Sequence, residues 1–315
     1  MTNDRASDRL QRLTARLAER APRRGDTVAR QRADFEAAVR SMPLAEGVTV
    51  EHTSSRDVPA EWLTPPGDIE ANAILYLHGG GYVTGSLSTI RPMASNLAVA
   101  ARARVLTVDY RLAPEHPHPA AVEDAVAMYE WLLGDGHAPA QLAVGGDSAG
   151  GGLAIATLVA ARDAGLGQPA GCFALSPWTD LTLAGASLST NAATDPQVQR
   201  WSLEEMAGYY LSGLDPMTAL ASPRFADLRG LAPMLIHVGG AEALLDDGRN
   251  FAAAATQAGN DVTLECWEHM IHVWHAFAPI LPESIAAIGR VGEWLRARWS
   301  AAHLEVPPRD AGPIT

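Results

Sequence analysis

Short apolar runs alternate with longer segments of helical periodicity along most of this chain. Strands are predicted at 48–52, 74–77, 105–108, 142–145, 172–175, 234–238 and 262–266. Helices are predicted at 8–19, 28–40, 92–101, 120–133, 149–164, 249–258 and 284–299. Because strands and helices alternate at this spacing, the pattern predicts an α/β fold in which helices cover both faces of a mainly parallel sheet.

The interval from residue 180 to about 220 breaks this alternation, since it contains no predicted strand. It is rich in aromatic side chains, which suits either an insertion that lines a pocket or ordinary helix packing. We expect it to form a helical cap together with the N-terminal helices in 1–45. The cap would cover a catalytic domain that spans 46–303, and the Pro- and Gly-rich segment 304–315 is expected to be a disordered tail.

Composition narrows the classes of function. The net charge of −12 disfavours nucleic-acid binding, which requires a basic face. All 24 basic residues are arginine, so any mechanism that depends on a lysine is excluded and a serine nucleophile would need a histidine. No apolar run is long enough for a signal peptide or a membrane span, and the two cysteines, Cys172 and Cys266, lie in predicted strands. We therefore expect a cytoplasmic protein with two reduced, buried thiols.

Small residues surround Ser148 in the run from Gly145 to Gly151, between a predicted strand and a predicted helix. This is the arrangement of a nucleophile elbow, in which Gly-x-Ser-x-Gly allows a tight, strained turn that exposes the serine hydroxyl. The short pattern also arises by chance, so a second motif is needed to support it.

A second motif, His-Gly-Gly-Gly-Tyr at 78–82, follows the predicted strand 74–77. An α/β-hydrolase places its oxyanion-hole loop at this point, because glycine-rich backbone leaves N–H groups uncovered. A tight turn without a catalytic role is the alternative interpretation.

Polar clusters follow the last two predicted strands, where α/β sheets bind ligands. Glu242 lies four residues after strand 234–238, whereas Asp246 and Asp247 lie eight and nine residues after it, at the start of the next helix. Carboxylates at a helix N-terminus have a structural explanation, so Glu242 is predicted to be the acid of a catalytic triad, with Asp246 as the alternative.

Three histidines, His269, His272 and His275, follow the final strand at intervals of three residues. A metal site is disfavoured, because no zinc-protease helix motif is present and the serine already requires one histidine. His269 and His275 are expected to lie in a loop or on a helix surface, with His269 close enough to modulate the site.

Longer matches extend these motifs over nearly the whole chain. They lie at 78–81, 109–117, 146–151, 222–223 and 270–272. With these segments the chain resembles the bacterial hormone-sensitive-lipase-like esterases of the α/β-hydrolase superfamily. Members that hydrolyse monoterpene lactones are similar too, so cyclic esters stay open as substrates.

The resemblance implies a two-step hydrolysis of short- to medium-chain carboxylic esters without metal or organic cofactor. In this mechanism Ser148 is the nucleophile and His272 the base, and the N–H groups of Gly80, Gly81 and Ala149 form the oxyanion hole. The chain departs from the family pattern at Glu242, where an Asp-Pro-Leu sequence is common, and at His269, where glycine is common.

Further roles follow from the same comparison of motifs. Asp109, Arg111 and Glu115 are expected to form a polar network that braces the site, and His78 to hold the oxyanion loop. Asp147 is assigned either to hydrogen bonding in the loop or to tuning of the site. Aromatic candidates for the walls of a substrate pocket are Tyr82, Trp178, Trp201, Tyr209, Tyr210 and Trp274.

Alternatives remain at the level of function. A non-catalytic protein that binds a small molecule is the rival from another class, because the same fold also serves in receptors. Lactone, carbamate or amide hydrolysis would use the same groups as ester hydrolysis. The expected partner is a small-molecule ester and not nucleic acid, no membrane span is expected, and formation of a homodimer is left open.

Overall fold

The computed structural model describes residues 2–69, 71–278 and 280–305, and its centre is an eight-stranded sheet. The strands are β1 (Thr49–Ser55), β2 (Val58–Thr64), β3 (Ala73–Leu77), β4 (Arg104–Val108), β5 (Leu142–Asp147), β6 (Gly171–Leu175), β7 (Met234–Gly239) and β8 (Val262–Trp267). Their order is β1-β2-β4-β3-β5-β6-β7-β8. Strand β2 is antiparallel to both neighbours and all pairs from β4 to β8 are parallel, so the predicted α/β fold with a mainly parallel sheet is confirmed.

Helices lie on both faces of this sheet, as predicted. They are α1 (Thr2–Arg20), α2 (Val28–Val39), α3 (Leu87–Ala101), α4 (Ala120–Gly134), α5 (Ala149–Asp163), α6 (Ser187–Thr190), α7 (Arg200–Leu211), α8 (Leu245–Gln257) and α9 (Pro282–Glu305). Neighbouring residues of β3 show how the layers form: Ile74 and Tyr76 pack with α3 and α9, whereas Leu75 and Leu77 pack with α4 and α5. Both faces of the strand are apolar because both are covered.

The two segments outside the strand–helix alternation lie against the loops that follow the strands. Leu13 of α1 packs with Met270 and Ile271, after β8. On α2, Arg32 donates hydrogen bonds to the carbonyl oxygens of Val83 and Ala113. The interval 180–220 contains α6 and α7 but no strand within its described residues, in agreement with the sequence pattern.

The structure differs from the predictions in three main respects, besides an earlier start of α8, at Leu245 instead of residue 249. Strand β2 was not predicted, because Pro59 interrupts its pattern and the turn before it has Arg56 and Asp57 in the left-handed region instead of an Asn-Gly pair. Helix α3 begins at Leu87 and not at Pro92, because Ser86 and Thr89 form a capping box.

The third difference concerns the thiols and the C-terminal segment. Cys172 is buried, but the prediction that Cys266 is buried is wrong, because β8 is an edge strand with an exposed face. Helix α9 continues to Glu305, and the rest of the expected tail, 306–315, lies outside the described residues. Among the described helices, none combines the length and apolar character that a membrane crossing requires.

Candidate active site

Ser148 lies at the sharp turn between β5 and α5, with a φ of 54° and a ψ of −122°. A non-glycine residue in this region is strained, and the surrounding contacts hold it there. Its N–H donates to the Leu175 carbonyl of the neighbouring strand. Gly150 allows the turn, because a Cβ at that position would overlap the carbonyl oxygens of Leu77 and His78. The strained elbow expected from the sequence is therefore present around Ser148.

A continuous chain of hydrogen bonds links this serine to a histidine and a carboxylate. His272 Nε2 lies 2.9 Å from Ser148 Oγ, and His272 Nδ1 lies 3.0 Å from Glu242 Oε2. Since a carboxylate can only accept, Nδ1 carries a proton and Nε2 of the neutral ring is free to accept from the serine hydroxyl. The other oxygen, Glu242 Oε1, accepts from the Gly239 N–H at 2.9 Å. The arrangement has the geometry of a nucleophile, a base and an orienting acid.

Burial controls the electrostatics of this chain. Desolvation raises the pKa of Glu242, although hydrogen bonds from His272, Ser176 and the Gly239 N–H favour its charged form. Desolvation would lower the pKa of His272, but the hydrogen bond and charge of Glu242, together with the charges of Asp195 and Asp147, raise it above its usual value. The site is therefore arranged to stabilise a protonated imidazole.

The glycine-rich loop after β3 is tied to the elbow. Asp147 Oδ1 accepts from the Gly79 N–H at 3.0 Å and from the Tyr76 hydroxyl at 2.8 Å. The His78 ring stacks on Tyr110, and its Nδ1 lies 2.7 Å from the Gly79 carbonyl oxygen. Both roles weighed for Asp147 are supported, because its carboxylate accepts hydrogen bonds in the loop and its charge helps to raise the pKa of His272.

The N–H groups of Gly80, Gly81 and Ala149 are those expected to form the oxyanion hole. Within the described residues these N–H groups donate no hydrogen bond. Ala149 is the first residue of α5, where the N–H has no acceptor within the helix and the helix dipole favours negative charge. Gly81 has a φ of +63°, and a Cβ at that position would overlap the Met206 sulfur of α7. The Ala149 N–H is therefore available next to Ser148, and the role of the three N–H groups in an oxyanion hole stays a prediction.

Asp246 and Asp247 lie in the first turn of α8, as predicted, and neither carboxylate is hydrogen-bonded to His272. Asp246 Oδ2 accepts from the Ser187 N–H at 2.9 Å. Asp247 is buried and its Oδ1 accepts from the N–H groups of Thr179 and Asp180. Burial raises the pKa of Asp247 to about 8. Both aspartates hold α8 against the insertion.

A set of polar side chains in the insertion, which the sequence did not single out, contacts the acid loop, defined here as residues 240–243. These side chains belong to Ser187, Asn191, Thr194 and Asp195, and Gln197 Nε2 donates to the His272 carbonyl at 2.7 Å. Side chains that bond to the backbone from irregular loops leave no periodic pattern, so no sequence signal pointed to them.

The other two histidines of the segment 269–275 do not share the contacts of His272 with Ser148 and Glu242. His269 is exposed in the loop, whereas the prediction of a surface position for His275 is wrong. The His275 ring is buried beside Trp274, and its Nε2 lies 3.1 Å from Nδ1 of His237 on β7. Among the described residues, no group of three or more His, Cys, Asp or Glu side chains is arranged to hold a metal ion.

Most of the aromatic side chains predicted to line a pocket are packed in the core. Tyr82 stacks on Tyr210 with ring centroids 3.8 Å apart, and both rings are buried. Trp178 and Trp274 have no exposed surface. Aromatic content indicates burial without showing which side chain reaches a ligand, so contact of these four rings with a substrate stays a prediction.

Trp201 and Tyr209 of α7 keep part of their surface exposed, and their place in a substrate pocket stays a prediction. Trp201 lies under the Arg24 guanidinium, 5.5 Å from its ring centroid, and the Tyr209 hydroxyl donates to Glu205 at 3.1 Å.

Asp109, Arg111 and Glu115 do not form the single network expected of them. Arg111 binds Asp124 of α4 through Nε and Nη2, whereas Glu115 binds Arg32 of α2 at 2.7–2.8 Å. Asp109 is half-buried, and burial raises its pKa. Each pair ties the loop after β4 to a different helix, so the expected network is corrected to two separate ones.

Comparison with known proteins identifies the family of this chain. Residues 74–276 match the model of a family described by the alpha/beta hydrolase fold. An acetyl-hydrolase of Streptomyces hygroscopicus is 47% identical over 255 residues, which cover 81% of this chain and 83% of that protein. Carboxylesterase NlhH of Mycobacterium tuberculosis is 37% identical over 255 residues, covering 77% of this chain and 79% of that protein.

A solved structure agrees with these relatives. The crystal structure of an esterase from the bacterial hormone-sensitive lipase family superposes with a TM-score of 0.90 at 49% identity, covering 93% of this chain and 98% of that chain. The chain therefore belongs to the α/β-hydrolase fold family, among its bacterial hormone-sensitive-lipase-like esterases.

Proposed function

We propose that the protein hydrolyses short- to medium-chain carboxylic esters through an acyl-enzyme formed on Ser148. The observation that carries this proposal is the unbroken chain of hydrogen bonds from Ser148 Oγ through His272 to Glu242. The relatives named as esterases and as an acetyl-hydrolase support the same class of reaction.

In the first step, His272 Nε2 takes the proton of the Ser148 hydroxyl as Oγ attacks the ester carbonyl carbon. The carbonyl oxygen becomes negative in the tetrahedral intermediate, and in this proposal the N–H groups of Gly80, Gly81 and Ala149 stabilise it. The imidazolium then gives its proton to the leaving alkoxide, which departs as the alcohol.

In the second step, a water molecule gives a proton to His272 and attacks the acyl carbon. Collapse of the second tetrahedral intermediate returns the proton to Ser148 Oγ and releases the carboxylic acid. Glu242 stays ionised and keeps the ring in the productive orientation. The pKa of His272 is raised by its neighbours, which stabilises the imidazolium formed in both steps.

The experiment that tests this proposal compares the wild-type protein with Ser148→Ala on p-nitrophenyl acetate, butyrate, octanoate and a γ-lactone. Wild-type turnover of the acetate and butyrate, lost in the variant, is the expected result. A diethyl phosphonate adduct found on Ser148 by mass spectrometry would identify the nucleophile. Binding of the esters without turnover would favour the non-catalytic alternative, and turnover of the lactone alone would favour the lactonase alternative.

The same proposal includes a cap built from the N-terminal helices and the insertion. It is supported by the contacts of Arg32 with Val83 and of Met206 with Gly81, which place α2 and α7 beside the oxyanion loop. A cytoplasmic location and a homodimer stay predictions. Cell fractionation tests the location, and light scattering of the purified protein tests the oligomeric state.

A further inference from the structure

The insertion makes hydrogen bonds to every residue of the acid loop. Asn191 Nδ2 donates to the carbonyl oxygens of Gly240 and Glu242, at 3.2 and 2.9 Å. The hydroxyls of Thr194 and Ser187 donate to the carbonyl oxygens of Ala241 and Ala243, at 2.9 and 2.7 Å, respectively. Each of the four carbonyl oxygens of the loop therefore accepts a hydrogen bond from a side chain of the insertion.

Asp195 completes this set from a buried position. Its side chain is 2% exposed, and its Oδ2 accepts from the Ala243 N–H at 2.7 Å. Its Oδ1 accepts from the N–H groups of Gln197 and Val198, which closes the turn that carries the residue. One carboxylate thus joins the insertion to the residue that follows Glu242.

Resting on the proposed esterase mechanism, we propose that Asp195 is a positioning residue, which together with Asn191 holds the acid loop so that Glu242 meets His272. Asp195 does not touch the serine or the substrate in this role. It acts through the backbone of the acid loop and through its negative charge, which favours the protonated imidazole of His272.

The charge of Asp195 predicts an effect on the pH dependence of activity, in addition to any effect on stability. The groups that act on His272 are Glu242, Asp195 and Asp147, all acidic, and burial keeps the neighbouring His275 neutral by lowering its pKa. Each carboxylate favours the protonated imidazole. Removing the charge of Asp195 should therefore lower the pKa of His272, and the acidic limb of the kcat/KM profile should move to lower pH.

The test compares Asp195→Asn and Asn191→Ala with the wild type and with Asp246→Asn. In Asp195→Asn the amide cannot accept from both sides as the carboxylate does, so the bond to the Ala243 N–H is lost or the turn is disturbed. We expect kcat to fall about 10- to 100-fold with KM little changed, because the base is misplaced while the substrate contacts stay. The acidic limb should move to lower pH, because the charge of Asp195 favours the protonated imidazole.

Asn191→Ala removes two bonds without a change of charge. It should lower kcat while leaving the acidic limb in place. Asp246→Asn is the matched control, because that carboxylate also accepts a backbone N–H of the insertion but does not act on His272. Its kcat and pH profile should match the wild type.

Each outcome decides the inference. A wild-type kcat and acidic limb in folded Asp195→Asn, with only a lower melting temperature, would reduce Asp195 to a structural role. If Asp195→Asn does not fold, the kcat of Asn191→Ala decides, since a wild-type value would show that the acid loop needs no support from the insertion. Absence of Ser148-dependent turnover in the wild-type protein would instead contradict the proposed function.

Discussion

The oxyanion loop, residues 78–85, and the acid loop lie at the same edge of the sheet, but different parts of the chain hold them. The oxyanion loop is bound mainly by residues of the core: Asp147, which accepts from the Tyr76 hydroxyl, also accepts from the Gly79 N–H, and the Tyr110 hydroxyl donates to the His78 carbonyl at 2.7 Å. The acid loop is bound mainly by the insertion.

In the proposed mechanism, the two halves of the reaction therefore depend on different parts of the fold. The groups that hold the oxyanion loop lie mostly on the strands, with Arg32 of α2 and Met206 of α7 as added contacts. Orientation of the base depends on a segment outside the strand–helix alternation. Changes in the insertion should therefore affect proton transfer more than oxyanion stabilisation.

The largest effect is expected from removal of the acid. Glu242→Gln should lower kcat about 10³- to 10⁴-fold with KM little changed, because the amide no longer orients the imidazole or stabilises its charge. Asp246→Asn is the control and should keep its kcat. Steady-state kinetics on p-nitrophenyl butyrate measure both variants. Near-wild-type turnover in Glu242→Gln would contradict the assignment of the acid.

A smaller loss is expected on the oxyanion side. Gly81→Val should lower kcat about 10²-fold or more, because the branched side chain meets Met206 and displaces a donor used in the transition state. Gly165→Val is the control, since Gly165 also has a positive φ, of +73°, but has open space around it. If both variants lost the same activity, backbone strain would explain the effect and the donor would not.

A several-fold loss is expected when the contact of α2 with the oxyanion loop is removed. Arg32→Ala deletes the bonds to Val83 and Ala113, which lie on the loops beside the serine. Arg30→Ala is the control, because Arg30 is exposed and pairs with Asp26 and Asp34 on the surface. If kcat fell as much in Arg32→Ala as in Asp195→Asn, the proposed difference in support between the oxyanion loop and the acid loop would be contradicted.

The smallest effect concerns stability at different pH. Burial raises the pKa of Asp247 to about 8 and that of Asp147 to about 6, from 3.8. The folded protein therefore holds these protons after the unfolded chain has lost them, and this stabilisation declines as pH rises through each folded pKa. Asp247→Asn should make the fall in unfolding free energy between about pH 4 and 8 shallower, and Asp147→Asn only that below about pH 6. Urea unfolding at several pH values measures both slopes, and parallel curves for wild type and Asp247→Asn would disprove this account.

Much of the fold could be predicted from the sequence, because the buried strands of a parallel sheet are short apolar runs that alternate with helices. The positions of Ser148, Glu242 and His272 could be predicted because each follows a strand, and strand ends meet at one edge. Counting from the end of β7 separated Glu242 from Asp246, since the helix that begins at Leu245 takes the aspartates away from the loop.

The rest depended on tertiary contacts that leave no local pattern. Asp195 lies in an irregular segment, and its importance comes from the Ala243 N–H, 48 residues away in the chain. Cys266 lies in a run of residues typical of a buried strand, but its exposure depends on whether another strand pairs with β8 at the edge of the sheet. Trp274 is aromatic and near His272 in sequence, yet it turns into the core.

The distances along the chain have a consequence for folding. Ser148 and His272 are 124 residues apart in the chain. Glu242 and His272 follow β7 and β8, respectively, which are the last two strands in sequence order. A partly folded chain in which only β3 to β6 have paired would contain the elbow and the oxyanion loop but no base. Contacts over such separations form slowly, because the loop must close before they stabilise anything. Catalytic competence is therefore expected among the last properties that the refolding chain regains, after its secondary structure.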